Sequence, residues 1–177
     1  MDKQHKDSLA KVLLENSALD LYGHILKKYT VEDLLALSRQ ADHYRVAFRA
    51  AWTLEHILLK HKDILIDYSR ETIDLYLYTD NDSSLRSISK LIIQLLKTAP
   101  ALFSPEDQEH IISKTFQLIE KENCPIALLV NCWDILYLLS KNHDWIQQEL
   151  KLHILFHLEK NSTPASKSRG NKTLYKL

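Results

Sequence analysis

The sequence predicts an all-α chain: an α-α superhelix, a right-handed stack of helix pairs with about eight to nine helices and no sheet. Three observations carry that expectation. Only 2 Gly and 4 Pro occur in 177 residues, far below the usual roughly 7% and 5%, which disfavours turn-rich β architecture and glycine-cradled phosphate sites. Apolar residues recur at spacings of three and four along nearly the whole chain, as one-sided helices require. The long helices also superimpose on one another at a single fixed offset.

Taken in order, helices are expected near 5–15, 18–28, 31–39, 42–61, 64–79, 83–98, 105–122, 125–140 and 144–160. Several starts carry capping chemistry. Thr30 precedes Val31-Glu32-Asp33, an N-cap with acids in the first turn; Asp82 precedes Ser83-Ser84; Ser104-Pro105-Glu106-Asp107 places a cap at Ser104 and Pro at the first helical position, where its missing N–H costs nothing. The remaining breaks fall at Asn16-Ser17, Gln40-Ala41, Lys62-Asp63, Asn123-Cys124-Pro125 and Asn142-His143-Asp144.

Sliding the long helices by 41 residues aligns Ala47, Ile88 and Leu129, then Ala50, Leu91 and Cys132, then Ala51, Ile92 and Trp133, then Leu54, Leu95 and Leu136. The preceding helices keep the same offset, with Leu34, Leu75 and Phe116 in one column and Leu37, Tyr78 and Ile119 in another. One offset serving both helices of three pairs describes a two-helix repeat of the 40-residue class. Trp133 is the strained position in this register, because an indole standing where Ala51 stands needs a gap beside it. At an offset of 39, Ile111, Thr115, Phe116 and Ile119 match Leu150, Ile154, Leu155 and Leu158, so 144–160 reads as the first helix of a fourth unit whose partner must come from the tail.

Here the chain resembles the HEAT and armadillo-like superfamily, as a small HEAT-like protein of bacterial type. The stretch Tyr44-Arg45-Val46-Ala47-Phe48-Arg49-Ala50-Ala51-Trp52-Thr53-Leu54 is similar to the second helix of a HEAT unit, in which a Val-Arg pair precedes an Ala-Ala and a Leu. In this chain the Val and Arg are reversed, and the later copies keep the apolar columns without the Ala-Ala. The resemblance covers residues 30–160 and implies an α-solenoid, not an activity. It divides the chain into one solenoid domain over 1–160, with an N-terminal cap at 5–28, repeats near 30–61, 63–98 and 104–140, a partial unit at 144–160, and a polar tail at 161–177.

The longest apolar runs, Ile126 to Val130 and Ile135 to Leu139, are five residues, against about 20 for a membrane span. The charged start, Met1-Asp2-Lys3-Gln4-His5-Lys6, does not read as a signal peptide. Cys124 and Cys132 lie eight apart without a paired CxxC, so reduced thiols in a cytoplasmic protein are expected. Cys132 falls in an apolar column. Cys124, before Pro125 at a helix start, is the more reactive candidate, yet no serine or cysteine sits on the Gly-bounded turn that acyl-transfer nucleophiles favour. His153 and His157 share a helix face with Glu149 one turn earlier, without the further ligand a zinc helix needs. Surface and cap histidines explain them better, and no cofactor or metal is implied.

The 23 cations balance 23 acids, but the tail holds Lys167, Arg169, Lys172 and Lys176 with no acid, which leaves 19 cations against 23 acids in the body, a charge of −4. The tail opens Asn161-Ser162-Thr163-Pro164-Ala165-Ser166 and reads as a disordered end; alternatively Leu174, Tyr175 and Leu177 dock it on the last helix. With Ala47, Ala50, Ala51, Leu54 and Leu58 taken as the buried stripe of the first second helix, the opposite stripe is Arg45, Arg49, Trp52 and His56. The offset carries it to Arg86, Lys90, Ile93 and Lys97, then to Ala127, Asn131, Asp134 and Leu138.

Second helices of HEAT units line the concave surface, so this stripe implies a basic ridge there, suited to a partner protein or an acidic or phosphorylated peptide gripped by guanidinium forks. Against it stands an ordinary solvated helix face. A monomer or weak dimer without catalytic residues is expected. The alternative function is nucleic-acid recognition, since alkylpurine DNA glycosylases share a HEAT-like fold with Trp and Asp on a basic concave surface, echoed by Trp52 and Asp134. The acidic body opposes that alternative, because phosphate neutralisation dominates DNA affinity.

Overall fold

The computed structural model describes residues 2–40 and 42–177, with Ala18 and Leu19 described by their backbone alone. Along them run α1 (Lys3–Glu15), α2 (Ala18–Leu21), α3 (Val31–Ser38), α4 (Tyr44–Lys60), α5 (Lys62–Asp67), α6 (Ser69–Tyr78), α7 (Asp82–Thr98), α8 (Pro105–Ile119), α9 (Ile126–Leu139), α10 (Asp144–Lys160) and α11 (Pro164–Leu174), with 3-10 turns at Ile25–Lys27 and Pro100–Leu102. No strand occurs among the described residues. No helix among them is long and apolar enough to cross a membrane. The chain forms two compact units, residues 1–91 and 92–177.

Capping chemistry sets the helix starts. Thr30 and Asp33 close a capping box on α3, and Ser104 and Asp107 close one on α8 with Pro105 in the first turn. Each box satisfies donors that a helix start leaves without partners. Two expected helices differ from the sequence reading. Residues 18–28 yield the short α2 and a 3-10 turn, and 64–79 breaks at Tyr68 into α5 and α6. Tyr68 leaves helical geometry at φ −102°, ψ 26°, and two contacts hold it there. Its hydroxyl donates to Glu32 of α3, and its carbonyl accepts from the Thr72 hydroxyl at 2.8 Å. The shared proton pushes the Tyr68 pKa up to about 12 and holds Glu32 below the usual carboxylate range. The break expected at Gln40-Ala41 falls partly on Ala41, which lies outside the described residues.

In the first unit α4 is the central element, packed by α1, α2, α3 and α5. In the second, α9 plays that part, packed by α8, α10 and α11. All of Ala47, Ala51, Leu54, Ile88, Ile92, Leu95, Leu129, Trp133 and Leu136 are buried, as their columns require. Tyr78 is not. It is 80% exposed while Leu75 is buried, because α6 ends at Tyr78 and the turn that would face it inward is missing. Its ring instead lines, with Arg39, Tyr44 and Asn81, a cavity of about 510 Å³ in the first unit.

The tail is helical, contrary to the disordered end read from its composition. Thr163 and Ser166 form a third capping box with Pro164 at the helix start, and α11 docks on α9 and α10. It docks through small residues: Ser166, Gly170 and Thr173 are buried. A Cβ on Gly170 would lie 3.0 Å from Ile154 Cγ2 and 3.3 Å from Trp133 Cζ3. Gly170 is therefore the gap that the Trp133 indole demands, supplied from an element the repeat alignment did not include.

Candidate partner-binding surface

The basic stripe of α4 starts at Arg45, which is exposed and has no hydrogen-bond or ion-pair partner among the described residues. One turn on, Arg49 is half-buried. Its Nε donates to the Leu13 carbonyl at 2.9 Å and its Nη2 to the Asn16 carbonyl, closing the C-terminus of α1, where helix carbonyls lack partners and carry partial negative charge. Burial, and secondarily the repulsion of Arg45, hold the Arg49 pKa below its ordinary value.

Trp52 is wedged. Its ring stacks on Phe48 at 5.9 Å, lies 5.0 Å beneath the Arg49 guanidinium and 5.7 Å from His56. The His56 ring in turn lies 6.1 Å from Tyr22, over which the Lys60 ammonium sits at 4.9 Å. Arg49, Trp52 and His56 thus belong to the seam between α4 and the N-terminal helices. The helical wheel missed this because it grants a helix one buried face, whereas α4 has neighbours on several sides.

On α7, Lys90 donates to the Glu55 carboxylate at 2.5 Å. Glu55 is buried, and its second oxygen has no hydrogen-bond partner among the described residues, so Lys90 is the counter-charge that makes this buried acid tolerable. The stripes do not reveal the pair, since Glu55 falls between them. Arg86 is half-buried and makes its own contacts. Ile93, assigned to the outward stripe, is buried. Lys97, in the second unit, is exposed without a partner among the described residues.

Asp134, on the third copy of the stripe, accepts from Arg169 of α11 at 2.5 Å and so belongs to the docking of the tail helix. His153 and His157 lean edge-on against Trp133 at 6.3 and 5.4 Å. The Trp133 indole N–H donates to His153 Nδ1 at 3.2 Å, and His153 Nε2 lies 3.2 Å from the Ile119 carbonyl. That leaves Nδ1 as acceptor and Nε2–H as donor, a neutral ring with both nitrogens occupied. Burial holds the pKa of both histidines below the usual imidazole range. Glu149 is exposed, so the three do not converge, and no group of His, Cys, Asp and Glu among the described residues is placed to hold a metal.

Cys132 is buried and Cys124 half-buried. No curated protein and no solved structure matches the chain. A family model described as a HEAT repeat domain matches residues 5–177, extending through α11 the likeness that the Tyr44 to Leu54 stretch carries. With helix pairs from end to end and nearly the whole length matched, the chain belongs to the HEAT repeat domain family.

Proposed function

We propose that this HEAT repeat scaffold is a non-catalytic interaction module that takes an anionic segment of a partner protein at cations the fold leaves without a carboxylate. One observation carries the reading. Arg45 and Arg49 stand one turn apart on α4 and neither has an acid partner among the described residues: Arg45 has no hydrogen-bond or ion-pair partner there, and the Arg49 hydrogen bonds go to carbonyls. Like charges one turn apart repel, and a bound carboxylate or phosphate would relieve that repulsion. Trp52 and His56 stack in turn beside Arg49 on the same helix, and Arg86, Lys90 and Lys97 are the α7 cations of the ridge expected from the sequence.

A ligand that binds only the folded state raises the melting temperature. Sulfate, phosphate or a glutamate-rich peptide is expected to raise it beyond what chloride does at equal ionic strength. Arg45→Glu is expected to abolish that excess and, by replacing repulsion of Arg49 with attraction, to leave the unliganded melt at or slightly above that of wild type. Equal excess stabilisation of wild type and Arg45→Glu would refute the proposal.

A further inference from the structure

The second unit carries a surface of the opposite charge. On α10, Trp145, Leu152 and Phe156 are 53%, 62% and 56% exposed, and Leu155 is exposed beside them. At about 100° per residue these four fall on one arc of the helix, opposite the arc of Ile146, Leu150 and Ile154, which are buried. A helix apolar on two opposite faces is covered on both or leaves one open for a partner. Here α9 and α11 take the inner face.

The outer face borders a groove of about 510 Å³ against α8, with Phe116 in its floor. Phe116 stacks on Trp145 at 5.7 Å and 21°, so the floor is a preformed aromatic platform. The rim is acidic. Glu120 at the end of α8 and Glu149 and Glu159 on α10 line the same groove, and none of them has an ion-pair partner among the described residues. His153, the only other ionisable group in the lining, is held neutral by burial. The Lys160 ammonium sits over the Phe156 ring at 4.3 Å, so a face of that ring already carries a cation.

We infer that the groove between α8 and α10 docks a basic amphipathic helix of a partner protein. Its apolar stripe would lie on Leu152, Leu155, Phe156 and Phe116 and its Lys or Arg side chains would reach Glu120, Glu149 and Glu159. An apolar floor supplies the affinity and the acidic rim selects the sign of the partner. This surface is independent of Arg45 and Arg49, so either proposal can fail alone.

The test is fluorescence anisotropy with a labelled helical peptide of Leu and Lys, its Leu residues at helical a and d positions. Two controls accompany it: the same pattern with Glu for Lys, and a scramble of the Leu–Lys composition. Wild type is expected to bind the Leu–Lys helix at least about tenfold more tightly than either control. Phe156→Glu and the pair Glu149→Lys, Glu159→Lys change exposed side chains only and are expected to keep the wild-type circular dichroism. Both should lose that binding, and the charge-reversed pair should gain affinity for the Leu–Glu helix. Equal binding of all three peptides, binding that survives both variants, or a face that instead drives self-association abolished by Leu152→Glu without peptide binding would each overturn the inference.

Discussion

At the scale of single residues, side chains with similar wheel positions do different work, and stability measurements separate them. Arg45 is exposed without a hydrogen-bond or ion-pair partner among the described residues, whereas Arg49 closes α1 and covers Trp52. Arg49→Ala is expected to cost about 1–3 kcal/mol in urea unfolding, since two carbonyls lose a charged donor and a cation–π contact goes with them. Arg45→Ala should stay within about 0.5 kcal/mol. The seam was hidden in the sequence because nothing in the Arg49 or Trp52 surroundings marks a contact with Leu13 or Asn16, more than 30 residues earlier.

Also at this scale, His153 and His157 link stability to pH. Both are held neutral with depressed pKa values, so between the folded values and the unfolded value of about 6.5 the unfolded chain binds more protons than the folded one. Their contribution is complete above the unfolded value and declines as pH falls through it towards the folded values. The urea midpoint is expected to drop between about pH 7.5 and 5.5. His157→Leu should flatten that drop, because His157 Nε2 is buried with no hydrogen-bond partner among the described residues and its removal breaks no hydrogen bond at that atom. An unchanged slope would show that the rings titrate alike in both states.

At the scale of elements, the repeat columns were legible wherever a helix is long and buried along one face, and failed where an element ends or where a neighbour comes from outside the alignment. Tyr78 failed for the first reason and Trp133 was explained only by the second. The helix α11 could have been read. Thr163-Pro164 with Ser166 three residues after the cap repeats the pattern of Ser104-Pro105 with Asp107, but the low apolar content hid it, because α11 docks by close approach of small residues rather than by large apolar ones. Gly170→Ala makes the conflict measurable. An alanine gains about 0.5–1 kcal/mol of helix propensity, while a Cβ 3.0 Å from Ile154 Cγ2 costs about 1–3 kcal/mol. Net destabilisation is expected, greater for Gly170→Val, and a stabilised alanine variant would mean that α11 does not pack this closely on α9 and α10.

The columns themselves are tested by Leu95→Ala on α7 and Leu136→Ala on α9. Both side chains are fully buried, and each truncation is expected to cost about 2–5 kcal/mol. Losses below about 0.5 kcal/mol at both positions would place those helices in a different register.

At the scale of the whole molecule, a near-neutral composition conceals charges that are distributed by role. Lys90 and Arg169 are matched to Glu55 and Asp134 within their units, and they hold the fold. Arg45 and Lys97 have no acid partner among the described residues. Composition could show the balance of charge but not this sorting, because pairing across 35 residues depends on which helices meet. We propose that Arg45, and not the basic stripe as a whole, receives an acidic partner. It is tested most directly by the anisotropy of a labelled glutamate-rich peptide titrated with wild type, Arg45→Glu and Arg169→Gln. Wild type is expected to bind saturably and more weakly as salt rises, with a loss of at least about tenfold in Arg45→Glu and wild-type affinity in Arg169→Gln. Equal affinity in wild type and Arg45→Glu would contradict it.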